Sequence, residues 1–180
     1  MKIFLRSFVA VFLTVFMAAC NPISPAVNLP EGQVVPCDQI QTVTNPAADV
    51  VLTCLDGNGQ FDLADIKGPA VINYWGSWCG PCREQIPYFL DIYSSKEGDL
   101  AIIGVNREER GFASAEKFIK DLGITYPQLS DPTGASKALV GQSIPVTVFI
   151  AESGQVVYQH NGAIKSTDEL RKLILEHLGI

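Results

Sequence analysis

The chain alternates between unbroken apolar stretches and stretches with helical spacing. Ala70 to Trp75 is apolar and carries the β-branched Val71 and Ile72, which predicts a buried strand. Leu100 to Val105 and Val146 to Ile150 read the same way. After the turn Glu152-Ser153-Gly154, residues Val156 to His160 are expected to return antiparallel as a hairpin. Helical patterns run from about Pro81 to Lys96, with Pro87 inside, and from Ala113 to Leu122, where Gly123 is an expected stop. Asp131-Pro132 reads as the cap and first residue of a short helix ending near Gly141. Ser166-Thr167-Asp168-Glu169 is a capping box that opens a helix to about Leu178, with Leu170, Leu173, Ile174 and Leu178 on one face. Ahead of all these lie β-like residues around Val50 to Thr53 and the turn signal Asp56-Gly57-Asn58-Gly59.

Strands that alternate with helices and then close on a hairpin and a terminal helix indicate an α/β fold, a mixed sheet covered by helices. The 180 residues suffice for one hydrophobic core. Lys2 and Arg6 are two of the 13 basic residues, so the rest of the chain carries about −8 against the −6 of the whole. An acidic body without a basic cluster excludes nucleic acid as the expected partner.

The first twenty residues differ from the rest. Lys2 and Arg6 precede an apolar run from Phe8 to Ala19, shorter than the roughly 20 residues of a membrane-spanning helix. The run ends in Met17-Ala18-Ala19-Cys20, which resembles the bacterial lipoprotein box, although a branched residue is usual where Met17 stands. The expected organisation is a lipoprotein-type signal over 1–19, a lipidated Cys20, a proline-rich tether over 20–35 and a folded domain over 36–180. An uncleaved anchor or cleavage near Ala19 are the other readings, and all three place the domain outside the cytoplasm.

Five cysteines fit that compartment. With Cys20 lipidated and Cys79 and Cys82 paired, Cys37 and Cys54 are left for each other, in surroundings where disulfides persist. A bridge of that span would stabilise by roughly 3 kcal/mol. Two buried free thiols are the alternative.

Cys79 and Cys82 stand where the strand Ala70–Trp75 runs into a helix. Unpaired N–H groups and the helix dipole stabilise a thiolate there, and thiolate is the nucleophile. Cys79 should be the more exposed and reactive sulfur, with Cys82 placed to attack a mixed disulfide and release product. Zinc uses the same spacing but needs two further ligands, and His160 and His177 are single. Both histidines read as structural, Trp75 as core packing, and Arg107, Glu108, Glu109 and Arg110 as a solvated loop or, alternatively, as the flank of a partner surface. No metal or cofactor is expected.

The run Asn73-Tyr74-Trp75-Gly76-Ser77-Trp78-Cys79-Gly80-Pro81-Cys82-Arg83-Glu84-Gln85-Ile86-Pro87 resembles the thioredoxin superfamily, in its extracytoplasmic TlpA-, ResA- and DsbE-like membrane-tethered branch. The similarity continues through Gly104-Val105-Asn106, Tyr126-Pro127, Asp131-Pro132 and Ile144-Pro145. It implies a thioredoxin fold with an N-terminal β extension and a helical insertion at about 108–130. It also implies a protein-disulfide oxidoreductase with Cys79 and Cys82 as catalytic residues and Trp78, Gly80, Pro81, Ile144 and Pro145 facing the substrate. Read alone, Pro145 is a trans proline starting a strand; the resemblance implies a cis bond that frees the Ile144 backbone for a peptide. The implied partners are thiols or disulfides of exported proteins, a membrane or extracytoplasmic redox partner, and the membrane through the Cys20 lipid, for a protein expected to be monomeric.

Two positions depart from the family. A buried Asp of thioredoxins is replaced by Asn73, and a Glu of the reductive tethered branch by Gln85, with Glu84 beside it. Neither amide takes a proton at neutral pH. The direction of catalysis, reducing as in cytochrome c maturation or oxidising, therefore stays open. A thiol peroxidase would need Thr where Gly76 stands, and a copper-delivery module a wider cysteine spacing.

Overall fold

The structure is a computed structural model and describes residues 32–44, 50–95, 99–109 and 111–180. The signal, Cys20, most of the tether, Lys96 and Arg110 lie outside the described residues.

The centre of the sheet is β3 (Ala70–Trp75), buried at every position. A strand covered on both faces must be apolar almost throughout, which is why it reads as a continuous run rather than an alternation. It pairs parallel with β4 (Ala101–Arg107) on one side and antiparallel with β6 (Val146–Ile150) on the other. The hairpin strand β7 (Val156–Asn161) closes the β6 edge. Beyond β4 lie β5 (Gln128–Asp131), parallel to it, then the antiparallel pair β1 (Val51–Cys54) and β2 (Gln60–Asp62). Among the described residues the sheet order is β2-β1-β5-β4-β3-β6-β7. This is the thioredoxin fold with a β extension on its N-terminal side.

The helices are α1 (Gly80–Ser95), α2 (Phe112–Leu122), α3 (Lys137–Val140) and α4 (Thr167–Leu178). Pro87 lies inside α1 without ending it. Gly123 ends α2 in the left-handed conformation, with its N–H on the carbonyls of Ile119 and Lys120, as its position after the last apolar residue predicts. Ser166 caps α4 by accepting from the Glu169 N–H, and the Glu169 carboxylate reaches back to the N–H of Lys165. One face of the sheet packs Val71, Trp75 and Phe149 against Ile86 and Phe89 of α1, Phe118 of α2 and Ile174 of α4. The other packs Ile72, Tyr74 and Val105 against Leu52, Leu63 and Ile66 of the N-terminal extension. Each such buried side chain contributes about 1.5–3 kcal/mol.

Three expectations are corrected. Asp131-Pro132 does not open a helix: Asp131 is the last residue of β5, and its carboxylate accepts from the N–H of Ala135 and Ser136 and from the Ser136 hydroxyl. An Asp before Pro can turn the chain this way as readily as cap a helix. The insertion at about 108–130 carries its expected helix, α2, but it ends in β5, a strand the sequence does not announce. Gln-Leu-Ser-Asp is too short and polar to announce a strand, and its register comes from non-local pairing with β4 and β1. The packed chain also starts before Pro36, since the N–H groups of Gly32 and Gln33 bond to the carbonyls of Lys120 and Ile124 at the end of α2.

Candidate active site

At the end of β3 the chain turns over Gly76 to Cys79, with the Cys79 N–H on the Gly76 carbonyl at 3.0 Å, and enters α1 at Gly80. A side chain at 76 would bring its Cβ within 2.8 Å of the Trp78 indole, so glycine lets that ring fold back over the turn. Cys79 and Cys82 are joined as a disulfide across the first helical turn. The Cys82 N–H points at Cys79 Sγ, 3.2 Å away, so the helix terminus already offers a donor to the sulfur that would carry charge. Cys79 is 6% exposed and Cys82 0%. Trp78, 58% exposed, stands beside them, and Gly80 and Pro81 are also at the surface.

The Ile144–Pro145 bond is cis. Val146 pairs with Tyr74, which sets Pro145 level with Trp75 at the dithiol end of β3. Ile144 packs partly against both faces of the core. Cys37 and Cys54 form the second disulfide, with Cα atoms 6.0 Å apart, tying the segment ahead of β1 to the last residue of that strand. His160 sits in β7 opposite Thr147, and His177 stacks on Tyr158 with ring centroids 3.8 Å apart. Among the described residues no group of three His, Cys, Asp or Glu could hold a metal.

Behind the dithiol the site is polar but uncharged. Gln85, one turn past Cys82, donates to Asn73 Oδ1 at 2.7 Å and accepts from the Ile164 N–H at 3.0 Å. Both amides are fully buried. The Tyr126 hydroxyl is buried without a hydrogen bond of normal geometry. Burial pushes its phenol well above the ordinary tyrosine range, and the nearby Asn73 amide offsets part of that effect. Trp75 does more than pack: its indole N–H donates to Gln128 Oε1 at 2.8 Å, and its ring stacks on Phe118.

The expectation of a solvated loop at 107–109 is corrected. Arg107 is fully buried as the last residue of β4, and its guanidinium donates to the carbonyls of Gly141 and Gln142, just before Ile144. Glu109 Oε2 accepts from the Ser77 N–H at 2.9 Å and from Asn106 Nδ2 at 3.3 Å. Between them Glu108 takes a positive φ of 53° and pairs with Lys137. The end of β4 thus braces the dithiol turn with one side chain and the Pro145 loop with another. Four charged residues in a row look solvent-facing in sequence, and only the apolar run feeding into Arg107 hinted that its backbone continues a buried strand.

The Redoxin family model matches residues 40–174. The chain belongs to the Redoxin family. It is a thiol–disulfide oxidoreductase of the ResA and DsbE kind. Thiol-disulfide oxidoreductase ResA of Geobacillus kaustophilus is 34% identical over 134 residues, 73% of this chain and 76% of that protein. A solved structure described as a thiol:disulfide interchange protein DsbE, from Chlorobium tepidum, is 26% identical with a TM-score of 0.62, covering 84% of this chain and 99% of that one. The exposed lipoprotein thioredoxin of Streptococcus pneumoniae is 28% identical with a TM-score of 0.60, over 72% and 99% of the two chains. In this oxidoreductase the dithiol sits where the sheet ends and α1 begins, the only described place where two cysteines share a helix terminus.

Proposed function

We propose that Cys79 and Cys82 are the redox centre and that the protein exchanges disulfides with exported proteins. The observation that carries this reading is the disulfide at the start of α1, with Cys79 the more exposed residue of the two and the Cys82 N–H directed at its sulfur. Cys79 as thiolate attacks a substrate disulfide, forming one mixed disulfide and releasing one substrate thiolate. Cys82 then attacks Cys79, closing the internal disulfide and releasing the second substrate thiolate. In the other direction one substrate thiolate attacks Cys79 and displaces Cys82 as a thiolate, and a second substrate thiolate attacks the mixed disulfide, so that the substrate leaves as a disulfide and Cys79 as a thiolate. Trp78, Gly80, Pro81, Ile144 and Pro145 line the place where the substrate backbone docks.

The setting of this chemistry is extracytoplasmic. Lys2, Arg6 and the apolar run to Ala19 support export, Cys20 supports a lipid anchor followed by a tether, and the Cys37–Cys54 bridge suits a compartment where disulfides persist. The pneumococcal relative is itself described as an exposed lipoprotein.

Substituting Cys82→Ser and exposing the protein to an oxidised substrate should trap a mixed disulfide on Cys79. Cys79→Ser should trap none. Trapping that survives Cys79→Ser overturns the reading. The direction follows from the reduction potential of the soluble domain. A value near or below about −230 mV makes it a reductant, and one above about −150 mV an installer of disulfides.

A further inference from the structure

Resting on the reading of Cys79 and Cys82 as the redox centre, we infer that Glu109 is a positioning residue for the dithiol turn and that its charge holds the pair towards the reducing end of its range. Three observations carry this. The two buried positions behind the cysteines are amides, so no carboxylate stands there among Asn73 and Gln85. Glu109, 32 residues away in sequence, nevertheless places a carboxylate oxygen on the backbone N–H of Ser77, inside the turn that the Cys79 N–H closes onto Gly76. The same oxygen accepts from the amide of Asn106, itself buried, so the carboxylate is aimed rather than left to sweep through solvent.

Two effects follow. The bond to Ser77 fixes the turn that presents Cys79 Sγ to a substrate. The negative charge, held on the N–H of Ser77 in the turn that leads into Cys79, opposes thiolate formation there, because a like charge nearby disfavours the ionised form. A less stable thiolate makes the reduced protein less stable relative to the disulfide, which gives a better electron donor. Glu108 is the natural comparison: it is next in sequence, but its carboxylate is engaged with Lys137 and Arg107 instead of the turn.

The test separates charge from position. In glutathione buffers, two glutathione thiols reduce the Cys79–Cys82 disulfide to two protein thiols and leave as one glutathione disulfide. The ratio of reduced to oxidised protein is read by alkylation, without any protein substrate. Glu109→Gln keeps an oxygen to accept from Ser77 but removes the charge. The reduced fraction should rise threefold or more at a fixed poise, and Cys79 should alkylate at lower pH than in the wild type. Glu109→Ala loses both effects: its ratio should rise as far, and the rate at which Cys79 forms a mixed disulfide should fall at least threefold below that of Glu109→Gln. A ratio that moves less than threefold in Glu109→Gln, or an equal shift in Glu108→Gln, overturns the charge role. Equal rates in the Gln and Ala variants overturn the positioning role. Because the readout is the dithiol itself, these results stand apart from whether Cys82→Ser traps an exported protein.

Discussion

Gln85 Nε2 donates to Asn73 Oδ1 at 2.7 Å, so the two buried side chains behind the dithiol bond to each other, and neither takes a proton at neutral pH. The Ile164 N–H holds Gln85 Oε1, so the amide is oriented and its donor face is turned to Asn73. Gln85→Glu keeps the acceptor for Ile164 and loses the donor, costing about 1–3 kcal/mol in stability. Burial would raise the pKa of the new carboxyl, and once ionised it would oppose thiolate formation at the dithiol. The expected result is a lower reduction potential above that pKa and an inflection in the potential-against-pH curve that the wild type lacks. Equilibration with glutathione from pH 5.5 to 9 measures it. Superimposable curves would show that position 85 does not communicate with the sulfurs.

Tyr126 carries a buried hydroxyl without a hydrogen bond of normal geometry, and Tyr74 is buried beside Asp131. Burial raises both phenols well above their ordinary value, and the Asp131 charge adds to the effect at Tyr74. With folded-state pKa values raised, the stability linked to these phenols is intact below the unfolded value of about 10 and is lost as pH climbs from there towards the folded values. Each tyrosine contributes up to about 1.4 kcal/mol of loss per pH unit in that window. Tyr126→Phe should be neutral or stabilising by about 1 kcal/mol at pH 7, since it removes an unpaired buried polar atom. It should also make the fall above pH 10 shallower. Urea unfolding at pH 7 and pH 10.5 tests both halves.

Arg107 holds the carbonyls of Gly141 and Gln142 from a fully buried position. Arg107→Met fills much of the same space but leaves two carbonyls without donors, at about 1–3 kcal/mol each. Because the freed loop leads into Ile144 and Pro145, substrate turnover should fall more steeply than the glutathione equilibrium moves. Comparing the two assays on one preparation checks this. A variant with unchanged turnover would remove Arg107 from the site.

Opening the second disulfide should separate stability from chemistry. The Cys37–Cys54 pair closes a sequence separation of 17 and pins the segment ahead of β1 to that strand's last residue. Replacing both cysteines with Ala should cost about 3 kcal/mol in urea unfolding. The Cys79–Cys82 potential should stay within the error of the wild type. A shifted potential would mean that the two disulfides are coupled.

What the sequence disclosed and what it hid have separate physical origins. Continuous apolar runs announced β3, β4 and β6, because strands covered on both faces have no polar side to confuse the pattern. The strand-to-helix junction at Cys79 and the caps at Gly123 and Ser166 were local signals, and local signals survive folding. β5 is not legible in sequence because its pairing partners lie far away along the chain, so nothing in Gln-Leu-Ser-Asp itself demands a strand. In sequence Arg107 and Glu109 read as solvated charges for the same reason: the carbonyls and the turn they hold come from residues 141–142 and 77. Asn73 and Gln85 were legible as departures, but not as a bonded pair.

Gly104 is where the sheet itself reaches the dithiol's support. In β4 it lies opposite Gln128, and a Cβ at 104 would fall 1.9 Å from Gln128 Oε1, the atom that receives the Trp75 indole N–H. Gln128 has no room to retreat, since it is fully buried and its amide is tied to the Tyr126 carbonyl. Gly104→Ala should therefore cost about 1–3 kcal/mol by overpacking and should break the Gln128–Trp75 bond. Combining it with Gln128→Ala removes the clash, so the double variant should be less destabilised than the sum of the two single ones. Urea unfolding of all four proteins measures the coupling, and Trp fluorescence reports whether Trp75 has moved. Additive costs would mean that Gly104 is needed for the strand backbone alone, and that the Trp75 support does not depend on it.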